Sequence, residues 1–425
     1  MVVLRGGFAV FLLSLMSAQL PAADPDVSGV ESVEKLPAVQ RAADFFVREA
    51  DWILQQQIRI TSIPAPPFRE EERARYLEEQ FSLLGLGNVH RDAIGNVLGE
   101  RPGSDPEHIV LLTAHMDTVF PPDTEIEIRR EGSRWVGPGI ADNGAGLAAL
   151  LTLARALNEA QLRTSATLLF VANVGEEGEG DLRGMRALFA DAALRRRVRA
   201  VIAIDGSNTE RLTTKALGSK RFHLIVRGPG GHSWADFGLP NPIQALARTV
   251  TRLAALSLPA QPRTVLNIGE IEGGTSVNAI PYRASIKVDI RSESEAEIIR
   301  LEEELLRALA DGVAEENASA RAQSALLTIE SKVIGHRPAG ELPANAHIVE
   351  VFQAVDAHLG IKTSIQRSST DANIPISFGI EAVAVGGGGR SAASHSLLEW
   401  YNPEGRELGL KRILLALALL AGVEE

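Results

Sequence analysis

The sequence predicts an α/β chain built in two parts: a mixed, largely parallel sheet flanked by helices, interrupted by a smaller βαββαβ unit. Three observations predict it. Short apolar runs such as Ala166 to Val174 (ATLLFVANV) and Val201 to Ile204 alternate with helix-length segments, as the doubly buried strands of a parallel sheet do. Between residues 213 and 332 the order of elements changes to strand, helix, two strands, helix and strand, the ferredoxin-like pattern. The chain also has 425 residues, more than one growing core accommodates, so at least two domains are expected.

Taken in order, residues 1–23 begin with Arg5, run through an apolar stretch from Phe8 to Met16 and end in Pro21-Ala22-Ala23. That is the pattern of a secretory signal peptide, and the apolar run is too short for a comfortable membrane span. The expectation is a secreted protein, in a bacterial periplasm, with no stable membrane anchor once the segment is cleaved. There is no cysteine, which removes disulfides, thiol catalysis and lipoprotein attachment. A net charge of -11 argues against nucleic acid, whose phosphates require a basic footprint.

Leu111 to Val119 (LLTAHMDTV) reads as an apolar strand ending in His115 and Asp117. The period of two places both on one side of the backbone, where a neutral imidazole can hold a metal ion and a carboxylate can orient it. His-x-Asp alone is equally a surface pair at a strand end. Trp135 to Gly146 (WVGPGIADNGAG) is a glycine-rich loop leading into a helix from Leu147 to Leu157, and it sets Asp142 just before the helix, as a metal ligand or as an N-cap. The strand Ala166 to Val174 ends in Gly175-Glu176-Glu177-Gly178, adjacent carboxylates that repel unless cations lie beside them. Val201 to Ile204 ends in Asp205, and Ala382 to Val385 leads through four glycines towards Ser394-His395-Ser396. The last apolar stretch, Ile413 to Val423, is too short to span a membrane and reads as a core helix.

In the interruption, strands are expected at Lys220 to Val226, Thr264 to Glu272, Ala284 to Arg291 and Ala325 to Lys332, with helices at Asn241 to Leu256 and Glu295 to Glu316. The expected boundaries are 24–212 plus 333–425 for the larger domain and 213–332 for the smaller. Gly228-Pro-Gly-Gly-His232-Ser is a glycine-rich turn presenting one imidazole. The histidines at 90, 108, 223, 336, 347 and 358 match no ligand position.

The ordered set HMD, GPGIAD, GEE, IDG and SHS resembles the di-zinc exopeptidase and aminoacylase family, which includes peptidase T, glutamate carboxypeptidase, aminoacylase and succinyl-diaminopimelate desuccinylase. The likeness runs from about Asp92 to the C-terminus. It implies two zinc ions per chain, with cobalt or manganese as alternatives. Asp142 would bridge them, His115 and Asp205 would complete one site, and Glu177 and His395 the other. Two imidazoles and three carboxylates suit such ions on chemical grounds as well. Glu176 is then implied as the general base towards a water held between the ions, and Asp117 as the partner of His115.

The resemblance also implies a lid that forms a homodimer, with His232 reaching the partner subunit's site to stabilise the oxyanion. Asn278 and Arg291 resemble lid positions that bind polar groups of the substrate, Arg291 through a fork suited to a carboxylate. Its structural alternative is a salt bridge at a strand end. One departure stands out: Asn143-Gly144-Ala145 replaces the basic residue that many relatives carry beside the bridging carboxylate. The expected activity is hydrolysis of amide bonds in small peptides, with Asp205 and Ser369-Thr-Asp-Ala-Asn373 leaning towards peptidase T-like aminopeptidases. Carboxypeptidase or N-acyl amino acid deacylase action is the second possibility. An inactive peptide-binding protein of the same fold is the third, which metal content would separate.

Overall fold

The computed structural model describes residues 27–321 and 326–424. The segment read as a signal peptide lies outside the described residues. The larger sheet has nine strands, and its centre is parallel: 166–173, 105–115, 198–204 and 381–385 lie side by side in that order. Antiparallel strands extend it on both sides, 97–101 and 87–91 beyond 166–173, and 211–216 beyond 381–385. All eight residues of Ala166–Asn173 are buried, which is why this strand reads as a continuous apolar run and not as an alternation. Helices pack around the sheet, among them Gly144–Glu159, most of whose side chains are buried, and Arg406–Ala421, the core helix expected near the C-terminus. Among the described residues no helix is long and apolar enough to cross a membrane.

The smaller sheet is antiparallel, in the order 264–273, 283–292, 218–227, 328–337. Its strands alternate: Phe222, Leu224, Val226, Ile286, Val288 and Ile290 form a core with Leu246, Leu253, Leu301 and Leu305 of the helices Pro242–Ala254 and Glu295–Ser319. Asn241 caps the first helix by accepting the Ile243 N–H at 2.9 Å, with Pro242 at the first helical position.

Two expected boundaries move. Thr213–Ala216 belongs to the larger sheet, where Thr213 pairs with Ala384 and Ala216 with Gly340. The last strand of the smaller sheet runs from Thr328 to Arg337 and not from 325 to 332, because Val333 to Arg337 continue the pairing with Phe222 to Ser219. The inserted unit therefore extends from Gly218 to Arg337. Its final residue lies where the two sheets meet.

A further small sheet was not legible in the sequence. It joins 390–392, 400–402, 134–136 and 129–131, and it ties the glycine-rich loop before Asp142 to the hairpin that carries His395.

Candidate metal centre

The parallel strands end on one edge, and the acid and imidazole residues follow those ends. His115 closes the strand 105–115, Glu176 and Glu177 follow 166–173, and Asp205 follows 198–204. Loop backbones then bring Asp142 and His395 to the same place. The Glu399 carboxylate accepts N–H groups from Gly139 (3.1 Å), Ala141 (2.7 Å) and Asp142 (2.8 Å), holding the loop across the hairpin from His395. Burial pushes the Glu399 carboxyl up to about 7 despite these donors.

Asp142 does not cap the helix that follows it. Asn143 does, accepting from Gly146 N at 3.1 Å, while it also accepts from Gly206 N and donates to the Ile204 carbonyl. The residue that departs from the family pattern thus fastens the loop to the end of the strand that presents Asp205. Asp142 is left free for other partners.

Those partners are the two imidazoles. His115 Nε2 lies 3.2 Å from Asp142 Oδ1, and His395 Nε2 lies 3.2 Å from Asp142 Oδ2. His115, Asp142 and Asp205 form one potential ligand group, and Asp142, Glu177 and His395 a second, each with its ligand atoms within 4.8 Å of one another. Asp142 is common to both, as a bridging carboxylate must be. A third such group, His115 with Glu176 and Glu177, shows how near Glu176 lies to the same centre.

Asp117 lies beside His115 and has a second task. Its carboxylate accepts the Glu176 N–H at 2.9 Å and the Glu177 N–H at 2.7 Å, and its oxygen is 3.6 Å from His115 Nδ1. The closer contact to that nitrogen is the Asp117 carbonyl at 3.1 Å. The carboxylate therefore fixes the adjacent glutamates, and the main chain orients the imidazole, turning Nε2 towards Asp142.

The residues fit divalent ions on an observation independent of resemblance. Asp142 Oδ1 is buried and, although His115 Nε2 lies 3.2 Å away, makes no well-formed hydrogen bond, while it belongs to a group that water would solvate strongly. Charge tells the same story. Burial opposes a proton on His115, yet the neighbouring Asp117 and Asp142 carboxylates outweigh it and hold its pKa well above the ordinary value. Bonds to Asp142 and Glu177 raise His395 to about 10. The Asp142 carboxyl is held low because the two imidazoles outweigh its burial. This cluster stabilises positive charge, whether carried by protons or by metal ions.

Four further residues stand at the site, three of which, Arg337, Arg211 and Glu399, escaped the sequence reading. Arg337 Nη1 lies 3.2 Å from Glu176 Oε1 and 3.1 Å from Ser369 Oγ, and Nη2 bonds the Glu176 carbonyl. Burial pushes the Glu176 carboxyl well above the usual carboxylate range, and Arg337 opposes that rise. Asp371 is buried beside Asn173, at 2.8 Å, and is raised to about 7 by burial. Arg211 faces Asp205 at 3.6 Å, and Glu399 holds the loop as described. Only the Ser369 to Asn373 segment had been singled out in the sequence. The others are isolated residues brought in by long-range packing.

The expected lid residues separate. Arg291 lines the cavity at the metal centre and also bonds Asp289 at 2.7 Å, so both of its sequence readings have a counterpart. His232 and Asn278 do not line that cavity. His232 is exposed, and it has a local structural task that the sequence did not reveal: Nδ1 accepts the N–H groups of Trp234 (3.1 Å) and Ala235 (3.3 Å), which leaves Nε2 as the donor. Asn278 sits on the neighbouring loop, where its carbonyl accepts the Ser233 N–H at 3.0 Å.

The fold and site have relatives among known proteins. Residues 111–418 match the model of Peptidase family M20/M25/M40. The uncharacterized protein YqjE of Bacillus subtilis is 24% identical over 354 residues, 78% of this chain and 88% of its own length. A probable carboxypeptidase of Aspergillus clavatus is 33% identical over 209 residues, 44% of this chain and 45% of its own, so that match spans less than half of either. Among solved structures, the aminopeptidase PepT from Bacillus cereus superposes with a TM-score of 0.69 at 23% identity, covering 87% of this chain and 98% of that one. A Bacillus subtilis protein described as a dinuclear metal binding peptidase from the M20 family gives 0.64 at 15% identity, over 90% and 99%. With ligand-type residues converging on one carboxylate and the family model spanning most of the sequence, the chain belongs to peptidase family M20/M25/M40 and is a hydrolase of the metallopeptidase type.

Proposed function

We propose that the protein is a di-zinc exopeptidase acting on small peptides, of the aminopeptidase or tripeptidase kind. The observation that carries this is Asp142, each of whose oxygens faces a different imidazole at 3.2 Å. His115 and Asp205 would hold one ion, Glu177 and His395 the other, and the pair supplies Lewis acidity towards the scissile carbonyl and the attacking water. Glu176 takes the proton of that water and delivers it to the departing amine. Burial suits the task, since a carboxyl whose pKa is raised accepts a proton more readily than an exposed one and can return it to the leaving group. Arg337 keeps its carboxylate in place, and Asp117 holds its main chain.

His232, as an Nε2–H donor, would reach the carbonyl oxygen of a substrate bound in a second copy, which makes the working unit a homodimer. Residues 1–23 support export to a periplasm. The likeness to an aminopeptidase of the same fold favours the amino-terminal reading. The Aspergillus relatives, named probable carboxypeptidases, favour action from the other end, with N-acyl amino acids as a related substrate class.

A panel of tripeptides with the amino terminus acetylated, the carboxyl terminus amidated, or both ends free separates the readings by mass spectrometry. Loss of cleavage on acetylation alone supports an aminopeptidase. Loss on amidation alone, or release of acetate from acetylated amino acids, overturns it in favour of a carboxypeptidase or deacylase.

A further inference from the structure

The cavity around Asp142 encloses about 650 Å³, and besides the acidic residues it is lined by Arg211, Arg221, Arg291, Arg337 and Arg367. In a chain with a net charge of -11 this is a local reversal of sign. A second basin of about 390 Å³ shares Leu217, Arg291 and Arg367 with the first and adds Arg263, Val265 and Glu293. It opens off the reaction site and stands on the inserted sheet.

The acids near this basin already have work. Asp289 faces both Arg221 (3.2 Å) and Arg291 (2.7 Å). Glu293 lies 3.4 Å from Arg367 and accepts the Arg263 main-chain N–H at 3.1 Å. Arg291 uses only its Nε for Asp289, so its two outer nitrogens have no hydrogen-bond partner among the described residues. The Arg263 guanidinium has no ion-pair partner among them either. One basin therefore collects three guanidinium groups, of which Arg367 is held by Glu293 and by Glu341 at 2.8 Å, while the outer nitrogens of Arg291 and the Arg263 guanidinium stay open to an anion. Nearby Val265 and Leu217 leave room for a short methylene chain.

We infer that this basin is a subsite for a carboxylate on the substrate's side chain, so that the preferred substrates carry glutamate or aspartate next to the bond that is cut. This rests on the hydrolase reading above and deepens it. Arg291 also borders the reaction cavity and can serve a terminal carboxylate, whereas Arg367, which borders it too, is engaged by Glu293 and Glu341. Arg263 borders only the basin, and it is the residue that distinguishes a side-chain carboxylate.

The test compares Glu with Gln, which changes the side-chain charge and preserves length and both termini. For the metal-loaded full chain, kcat/KM is measured on Ala-Glu against Ala-Gln, Glu-Ala against Gln-Ala, and N-acetyl-Glu against N-acetyl-Gln. In parallel, calorimetry measures binding of free glutamate and glutamine. The expected preference for the glutamate member of one pair is on the order of tenfold or more, because the neutral amide leaves the guanidinium groups unpaired. Arg263→Ala should remove most of that preference by raising KM for the glutamate substrate far more than for the glutamine one, and Arg263→Lys should restore part of it. Equal rates and equal binding for both members of every pair overturn the subsite, as does a preference that Arg263→Ala leaves intact. If neither this panel nor the tripeptides above are hydrolysed, the peptidase and deacylase reading fails, and calorimetry alone decides the subsite: glutamate binding that depends on Arg263 supports it, and none overturns it.

Discussion

Arg337 and Glu176 meet as a buried ion pair across the junction of two sheets, Nη1 3.2 Å from Oε1, with each side chain 8% exposed. Arg337 ends the last strand of the inserted sheet, and Glu176 follows a central strand of the larger one. The residue proposed as base is thus gripped from outside its own domain. Its neighbour Glu177 instead faces His395, at 3.1 Å.

That division gives the first prediction. Glu176→Gln should keep nearly full metal content and lose turnover by about 10²- to 10⁴-fold, the usual contribution of a general base. Glu177→Gln should lose metal from one site. Elemental analysis beside steady-state kinetics reads both, and identical behaviour of the two variants in both measurements would falsify the assignment.

His232→Ala should be nearly inactive while keeping its metal, since a donor at a developing oxyanion contributes about 2.7 to 4 kcal/mol. Mixed under conditions that exchange subunits with Glu176→Gln, itself inactive, it should regain partial activity. In such a heterodimer one intact metal site meets an intact His232 from the other chain. Failure to recover, with exchange shown independently, would place His232 in its own chain's site or outside catalysis.

Asp356 and Arg412 form a fully buried pair, with Arg412 Nε 2.6 Å from Oδ1 and Nη2 2.8 Å from Oδ2. Asp356→Ala leaves an unpaired guanidinium in the core and should cost about 3 to 5 kcal/mol in urea unfolding. Asp356 also accepts the Thr363 hydroxyl at 2.7 Å. Thr363→Val should therefore destabilise far less, and equal losses for the two variants would show that the ion pair is not the source.

Glu34 lies between Lys411 and His358, whose hydrogen bonds lower its carboxyl below the ordinary 4.5 in spite of burial. A carboxyl with a depressed folded-state pKa favours the fold when ionised. Its contribution is therefore complete above 4.5 and is lost as pH falls through the lower folded value. Glu34→Gln should be less stable than the parent at pH 7, and the two melting curves should converge as pH falls through the lower folded-state value. A gap that persisted into strong acid would assign the effect to packing.

Much of the scaffold was legible because buried parallel strands are continuous apolar runs, and because each metal-ligating candidate follows such a strand or a glycine-rich turn. His115, Glu176, Glu177 and Asp205 stand directly after strand ends, where period and length locate them without any tertiary information. Asp142 and His395 stood out beside glycine-rich stretches, but their meeting at one centre came only through the resemblance, since their approach depends on a small sheet made of three-residue strands. Strands that short carry no periodic signal. The further task of Asp117, holding the Glu176 and Glu177 N–H groups, was hidden for a related reason: the period of two shows which side of a strand a carboxylate occupies, and not which N–H groups a later loop will bring to it. Arg337 was invisible because Val333 and Ile334, exposed on the inserted sheet, end the apolar pattern before the strand ends.

The place where the insert rejoins the larger sheet makes the two domains less interchangeable than their separate cores suggest. A chimaera that exchanged residues 218–337 for the equivalent unit of a relative would replace Arg337 and Arg291 together, along with Arg263. Such a transplant would alter the grip on Glu176 at the same stroke as the lining of the basin. Any new selectivity acquired by swapping this unit would arrive with a change in proton transfer, so that the two could be separated only by restoring Arg337 alone.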